Sequence, residues 1–216
     1  MTMLAAKLDK GEAVDVYTQK APRYDIWGKL TEARARERAL RAAKIRDGET
    51  ILEVAVGTGL MFEKIVAANP TGRNVGVDLT PAMLAQATAR LAKSAAKYEL
   101  RVGDAYALDF PDGQFDLLVN NYMFDLLPEA DFPRVLAEFR RVLKPDGRLL
   151  LINMTRPAHW YDGFWEWVYR VSPKTMTGCR GVVLSDALRA QGFQQLRRAY
   201  VSQLGFPSEI ITAQVA

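Results

Sequence analysis

Short apolar runs alternate along this chain with segments of helical period, the pattern of a parallel sheet covered by helices. The first strand is predicted over Thr50–Val56, ending at Gly57. A helix from about Leu60 to Ala68 follows, closed by Asn69-Pro70, and a strand over Asn74–Leu79 comes next. Thr80 fits an N-cap and Pro81 a first helical position, which opens a helix running to Ala92. Further strands are predicted over Glu99–Val102 and Phe115–Tyr122, then a helix over Glu129–Leu143 stopped by the turn Lys144-Pro145-Asp146-Gly147. Arg148–Met154 is apolar enough to be a central strand buried on both faces.

After Met154 the rhythm breaks. Thr155–Gly181 is rich in aromatic residues and reads as an insertion, before a helix over Ser185–Gln191 and two last strands, Leu196–Val201 and Glu209–Ala213. Ahead of the first strand, residues up to about Asp47 read as a helical cap carrying Tyr17, Tyr24 and a basic helix over Thr31–Ile45. The expected organisation is a cap at 1–47 and one α/β domain at 48–216, with an aromatic lid at 155–181. A chain of 216 residues accommodates one such core and not two.

Composition narrows this picture only slightly. Hydrophobic residues make up 49% and charged residues 25%, and the net charge is +4, as expected of a soluble globular protein. The single cysteine, Cys179, rules out an intramolecular disulfide framework and points to a reducing, cytoplasmic location. No run reaches the roughly 18 apolar residues of a membrane span, and Met1–Leu8 is too short and interrupted for a signal peptide. Contact with a membrane surface stays open. No metal is called for.

The candidate chemistry sits where the strands end. Glu53-Val54-Ala55-Val56-Gly57-Thr58-Gly59 places two glycines at a strand-to-helix turn, where the missing Cβ atoms allow a tight turn and a ligand against the backbone. Asp78 ends the next strand, about 20 residues on, where a carboxylate accepts hydrogen bonds from both hydroxyls of a ribose. Asp104 ends the third strand and can accept from an exocyclic amine such as that of adenine. Each aspartate alone could be a turn or capping residue; together they outline one crevice.

The ligand is then narrowed by two residues. A dinucleotide fingerprint wants a small third residue where Phe62 stands, and no Walker-type Gly-Lys-Ser/Thr ending is present. Glu53, beneath the loop, would repel a pyrophosphate but suits an ammonium or sulfonium. S-adenosylmethionine carries both. A dinucleotide oxidoreductase and a non-catalytic module that merely keeps the fold are the competing readings. Phe62 and Glu53 argue against the first, Asp78 and Asp104 against the second.

Glu53–Gly59, Asp78, Asp104-Ala105, Phe115-Asp116-Leu117-Leu118-Val119 and Leu143-Lys144-Pro145-Asp146-Gly147 resemble the ordered motifs of class I S-adenosylmethionine-dependent methyltransferases. With the early Tyr24-Asp25, the chain is most similar to the ubiquinone/menaquinone-biosynthesis and phospholipid N-methyltransferase branch. The resemblance implies a Rossmann-like fold with a mostly parallel seven-stranded sheet, helices on both faces and an N-terminal helical cap. It implies Asp78 on the ribose, Asp104 near adenine, Gly57 and Gly59 under the methionine part, and Tyr24 over the cofactor. Ala55, Thr58, Leu79, Met83, Ala105 and Asn120 complete the candidate cofactor set. Leu60 replaces a frequent third glycine, and Ala55 stands where Asp or Gly is common.

Methyl transfer mainly requires alignment of nucleophile, methyl carbon and sulfur, and the exclusion of water. A general base is required only if the nucleophile still holds a proton, so the lack of an obvious one does not argue against the reaction. Asn121 and Tyr122 are candidates to face the methyl, although a residue here can also cap a turn. His159, the sole histidine, is a candidate base or orienting donor, or else a surface loop residue.

Tyr17, Trp160, Tyr161 and Trp165 are candidate acceptor contacts, as a pocket wall or as aromatics seated at a lipid headgroup layer, while the plain reading of the aromatic insertion is a lid helix packed on the core. Arg180, flanked by Gly178 and Gly181, could hold an acceptor phosphate or carboxylate, or be a plain surface arginine. The basic helix, with Arg34, Arg36, Arg38, Arg41 and Lys44, reads as a solvated face, with contact to anionic lipid as the alternative. No aromatic residues interleave with it, so nucleic acid is not an expected partner. The expected acceptor is a small or lipid-like molecule: an amphiphilic or aromatic compound, a phospholipid amine or quinone precursor, or instead a soluble metabolite.

Overall fold

The computed structural model describes residue 6 and residues 10–159, 162–171 and 179–216. Seven strands form one sheet in the order β3-β2-β1-β4-β5-β7-β6. These are β1 (Thr50–Val54), β2 (Arg73–Asp78), β3 (Tyr98–Val102), β4 (Phe115–Asn121), β5 (Leu143–Met154), β6 (Phe193–Gln203) and β7 (Phe206–Val215). The first five run parallel, while β7 pairs antiparallel with both β5 and β6. The order reverses between β1 and β4, so a crevice opens beyond their carboxyl ends.

Both faces of the sheet are covered because its central strands are apolar on both. Ile51, Leu117, Val119, Leu150 and Ile152 join one buried cluster; Leu52, Val54, Leu118, Leu149 and Leu151 join the other. Successive side chains of a strand point to opposite faces, which sorts them this way. The second face is closed by α5 (Phe132–Val142), whose Phe132, Val135, Leu136, Phe139 and Val142 follow helical spacing and are all buried. α7 (Ser185–Ala190) adds Leu188 to the same cluster. α3 (Phe62–Ala68) and α4 (Pro81–Leu91) flank the β1–β2 end, with Phe62, Val66, Ala87 and Leu91 in a third cluster.

The amino-terminal residues form α1 (Lys10–Thr31) and α2 (Ala33–Ala43). The basic segment predicted to start at Thr31 is thus α2, while Thr31 itself ends the preceding helix. Ala35, Ala39 and Ala43 of α2 are buried against the sheet and belong to its core. Small alanines let the helix lie close to β5 and β7, so this segment does more than cap the fold.

Two other boundaries shift. β5 begins at Leu143 rather than Arg148, because the Lys144–Gly147 turn is a bulge inside it: Phe115 pairs with Leu143 and Leu117 with Arg148. Asp146 takes φ +60° there. The aromatic insertion holds α6 (Gly163–Val171), and its Trp165 and Val168 pack on the cluster shared with α2. Among the described residues, no helix is long and apolar enough to cross a membrane.

Candidate active site

A cavity of about 540 Å³ opens at the reversal point, lined by the ends of β1 to β4 and roofed by α1 and α2. Glu53, Ala55, Gly57, Thr58, Asp78, Leu79, Met83, Asp104, Ala105, Asn121, Tyr122 and Tyr17 all line it. Sequence reasoning had named each of these twelve.

The glycine loop is held by the carboxylate across from it. The Asp78 Oδ2 accepts from the Gly57 amide at 2.7 Å, and Oδ1 accepts from the Thr80 amide at 2.8 Å. Burial pushes the Asp78 carboxyl above its usual range, while these amides pull the other way. Gly57 sits at φ +58°, and a Cβ there would meet nothing within 4 Å. Its bare backbone therefore faces open cavity. Gly59 differs: at φ +82°, its Cβ would come 3.0 Å from the Ala87 Cβ. It is absent from the lining, and its lack of a side chain serves the packing of the loop on α4.

Glu53 lies under the loop, 1% exposed. Its Oε1 accepts from the Asn121 Nδ2 at 2.7 Å. Its Oε2, and the Oδ1 of Asn121, are buried without a hydrogen-bond partner among the described residues. Burial pushes the Glu53 carboxyl well above the ordinary range. An unpartnered carboxylate oxygen at a cavity wall suits a cationic ligand.

Asp104 and Tyr106 shape the far end. The Asp104 Oδ1 accepts from the Tyr106 amide at 3.1 Å, and the Tyr106 hydroxyl donates to Asp131 at 2.8 Å. The remaining wall, from Tyr122 through Met123, Leu126, Leu127 and Pro128, is largely apolar.

Several expectations need correction. Asn120 turns away from the cavity: it is fully buried, and its Nδ2 donates to the Val54 carbonyl at 2.9 Å. Tyr122 borders the cavity, as expected, while its hydroxyl is engaged with Ser208 at 2.8 Å, and burial pushes its pKa well above the ordinary tyrosine value. His159 is exposed and packs edge-on against Tyr200, outside the cavity. Trp165 donates from its indole to the Leu204 carbonyl and packs on Phe206, also outside it.

Arg180 is not on an open turn but 1% exposed. Its guanidinium donates to the carbonyls of Asp125 and Leu127, at 2.6 Å each, and so braces the apolar wall from behind. Trp160, Tyr161 and the side chain of Tyr24 lie outside the described residues.

Three features, two of the cavity wall and one beside it, escaped the sequence reading. Glu32 and Arg36, expected on a solvated face, line the cavity as a buried pair 2.6 Å apart. Asp25 accepts from the Thr58 hydroxyl at 2.5 Å and from Arg90, tying α1 to the glycine loop and α4. The Arg90 Nε also donates to the Thr58 carbonyl at 2.8 Å. The third is the apolar run 123–128. Helical spacing around Ala35 and Ala39 could have flagged Arg36, since Glu32, Arg36 and Ala39 share a face.

Comparison with known proteins decides the class of this site. Residues 51–147 match a methyltransferase domain family. A demethylmenaquinone methyltransferase of Thermus thermophilus is 34% identical over 160 residues, covering 72% of this chain and 70% of that protein. The chain belongs to the class I S-adenosylmethionine-dependent methyltransferases. Within them it stands near the ubiquinone/menaquinone branch: a ubiquinone/menaquinone biosynthesis C-methyltransferase of Geobacter sulfurreducens is 31% identical, over 69% of this chain and 60% of its own.

Solved structures agree on the fold. The [4+2]-cyclase SpnF superposes with a TM-score of 0.77 at 17% identity, covering 99% of this chain and 98% of its own. A Haemonchus contortus phosphoethanolamine N-methyltransferase, in complex with S-adenosylhomocysteine, gives 0.74 at 14% identity, covering 97% and 60%. By its family and its methyltransferase relatives, the protein is an enzyme that uses S-adenosylmethionine. The residues present fit this cofactor: bare backbone at Gly57 and a buried, unpartnered carboxylate oxygen at Glu53 meet one cavity.

Proposed function

We propose that the enzyme methylates an aromatic or amphiphilic small molecule, with a hydroxylated quinone precursor as the leading acceptor. The observation that carries this reading is the apolar wall from Tyr122 to Pro128, beside a donor end that is polar. Relatives named for demethylmenaquinone support it. When bound, S-adenosylmethionine would supply an electrophilic methyl on a sulfonium. Asp78 would hold the ribose, Asp104 and Ala105 the adenine end, and Glu53 the ammonium.

The chain's own part is orientation and exclusion of water. Met123, Leu126 and Leu127 offer apolar surface to a flat ring, and the Asn121 amide, bonded to Glu53, lines the same cavity. The cap expected over 1–47 acts in this reading through α1, whose Val14 and Tyr17 line the cavity and whose Asp25 ties it to the glycine loop. A methyl-transfer screen over quinols, phenols, amines, thiols and phospholipids, read by mass, tests it. Product with quinols or phenols is expected. Turnover of amines or phospholipid headgroups alone would replace the acceptor class.

A second reading concerns where the acceptor is met. Phe164, Trp167 and Val171 on α6, with Leu204 and Leu30 beside them, are more than half exposed. The contacts of Gln203 with Leu30 and with the Arg34 amide, and of Trp165 with Leu204, join these residues to the basic face of α2. Apolar residues flanked by cations suit the surface of an anionic membrane. Co-sedimentation with anionic vesicles is expected, and its absence at low salt would leave a soluble acceptor as the better choice.

A further inference from the structure

The carboxylates of the cavity fall into an order. Glu53 lies within reach of the charges of Arg36 and Asp78, whereas Glu32 is the glutamate whose charge reaches both Tyr122 and Asp125. Glu32 therefore stands toward Tyr122, where the apolar wall begins. It joins α1 to α2 and is fixed there: its amide donates to the Gly28 carbonyl at 3.1 Å, and its Oε2 accepts from the Arg36 Nη1 at 2.6 Å. It lines the cavity, and its Oε1 has no bond partner among the described residues. The other polar groups at this end are committed. The hydroxyl of Tyr122 is engaged with Ser208, that of Tyr17 with Cys179 at 3.8 Å, and the Asn121 amide with Glu53. Asp125 lies outside the cavity lining, and its Oδ2 accepts from the Met154 amide at 2.8 Å.

We infer that Glu32 is a catalytic residue on the acceptor side, where its Oε1 accepts a hydrogen bond from an acceptor hydroxyl and takes that proton during methyl transfer. The inference rests on the aromatic acceptor proposed above and adds that this acceptor carries an ionisable hydroxyl. The O–H bond breaks toward Glu32. The electron pair left behind, on oxygen or passed to the adjacent ring carbon, forms the bond to the methyl, and the pair of the methyl–sulfur bond goes to sulfur. Where carbon attacks, the hydrogen of that carbon then moves to the oxygen and restores the hydroxyl. Burial makes Glu32 hold a proton more readily than an ordinary glutamate, and Arg36 beside it keeps the ionised form within reach. A base so balanced serves a phenolic proton better than a fully solvated carboxylate.

Naphthol and naphthyl methyl ether, each titrated into enzyme loaded with S-adenosylhomocysteine, separate the claims. The ether reports on the aromatic cavity, and naphthol adds one hydroxyl proton. The unsubstituted protein binds naphthol about tenfold more tightly, as a hydrogen bond to a charged group contributes. That preference grows from about pH 5 to about pH 8 as Glu32 ionises. In Glu32→Gln the side-chain carbonyl stays with Arg36 and the amide N–H turns to the cavity, so the preference vanishes while S-adenosylhomocysteine affinity holds within about threefold. With S-adenosylmethionine, single-turnover methylation of naphthol rises with pH in the unsubstituted protein. It slows roughly a hundredfold in Glu32→Gln and loses that rise. Equal binding of both probes by the unsubstituted protein, no methyl transfer to naphthol, or a preference and pH rise that survive in Glu32→Gln overturns the inference. The first two need no variant to fold. Binding of neither probe would instead overturn the aromatic acceptor reading beneath it.

Discussion

The Thr58 hydroxyl donates to the Asp25 carboxylate at 2.5 Å, and this one bond joins the amino-terminal helix to the glycine loop. Arg90 completes the clasp from α4, bonding both Asp25 and the Thr58 carbonyl. Through it, α1 and the cofactor loop hold each other in place.

Asp25→Asn keeps the shape but weakens both bonds. The clasp is partly exposed, so its loss costs about 1–2 kcal/mol. Stopped-flow dissociation of S-adenosylhomocysteine should quicken by roughly tenfold, since 1.4 kcal/mol is a factor of ten. Amide exchange across 10–31 should rise in parallel. An unchanged off-rate would separate α1 from the cofactor.

The two loop glycines should respond differently to alanine. Gly57→Ala meets open space but must hold φ +58°, so we expect about 1–2 kcal/mol of instability and a larger loss of cofactor affinity. Gly59→Ala drives a methyl into Ala87, so stability should fall further while affinity follows only indirectly. Thermal melts with and without S-adenosylhomocysteine distinguish the two.

The buried carboxyls make the empty enzyme sensitive to pH. Burial raises Glu32, Glu53 and Asp125 above their unfolded values, so the folded state binds protons more readily. The stability they contribute is present below the unfolded pKa and is lost as pH rises through the raised one. Ligand-free enzyme should therefore melt higher near pH 5 than at pH 8. Glu53→Gln should flatten part of this trend and stabilise at pH 8 by about 1–2 kcal/mol, while weakening the cofactor. A lower melting point for Glu53→Gln at pH 8 would contradict the account.

Removing Arg180 should act on the acceptor side. Arg180→Met leaves the Asp125 and Leu127 carbonyls unpaired, at a cost of about 2–4 kcal/mol. The acceptor KM should rise while the affinity for S-adenosylhomocysteine stays within a few fold. His159→Ala, by contrast, should leave the rate unchanged across pH. A lost pH limb in that variant would return the imidazole to the reaction.

The part of the cavity lined by Glu53 to Asp104 was legible because its residues sit at strand ends, where short apolar runs stop at glycines and acidic residues. The seven strands were legible for the same reason. The acceptor half was not, because its walls come from contacts distant in sequence. Arg180 looked mobile between glycines, yet the carbonyls it braces lie more than fifty residues earlier. Arg36 looked solvated because its neighbours are charged, while the alanines around it were pressing that face inward. Of the readings open for the aromatic insertion, a helix packed on the core fits Trp165, whose partners lie at the β6–β7 turn and were distant in sequence.

The position of β7 bears on how the chain reaches this state. It lies between β5 and β6, although β6 precedes it in sequence. As the chain leaves the ribosome, β6 emerges with no permanent neighbour in the sheet, and the outer edge of β5 stays unpaired. Both must wait for Phe206–Val215. Chains that still lack β7 therefore expose an apolar edge that pairs readily with other strands, and Phe206–Val215 decides whether the enzyme folds or aggregates.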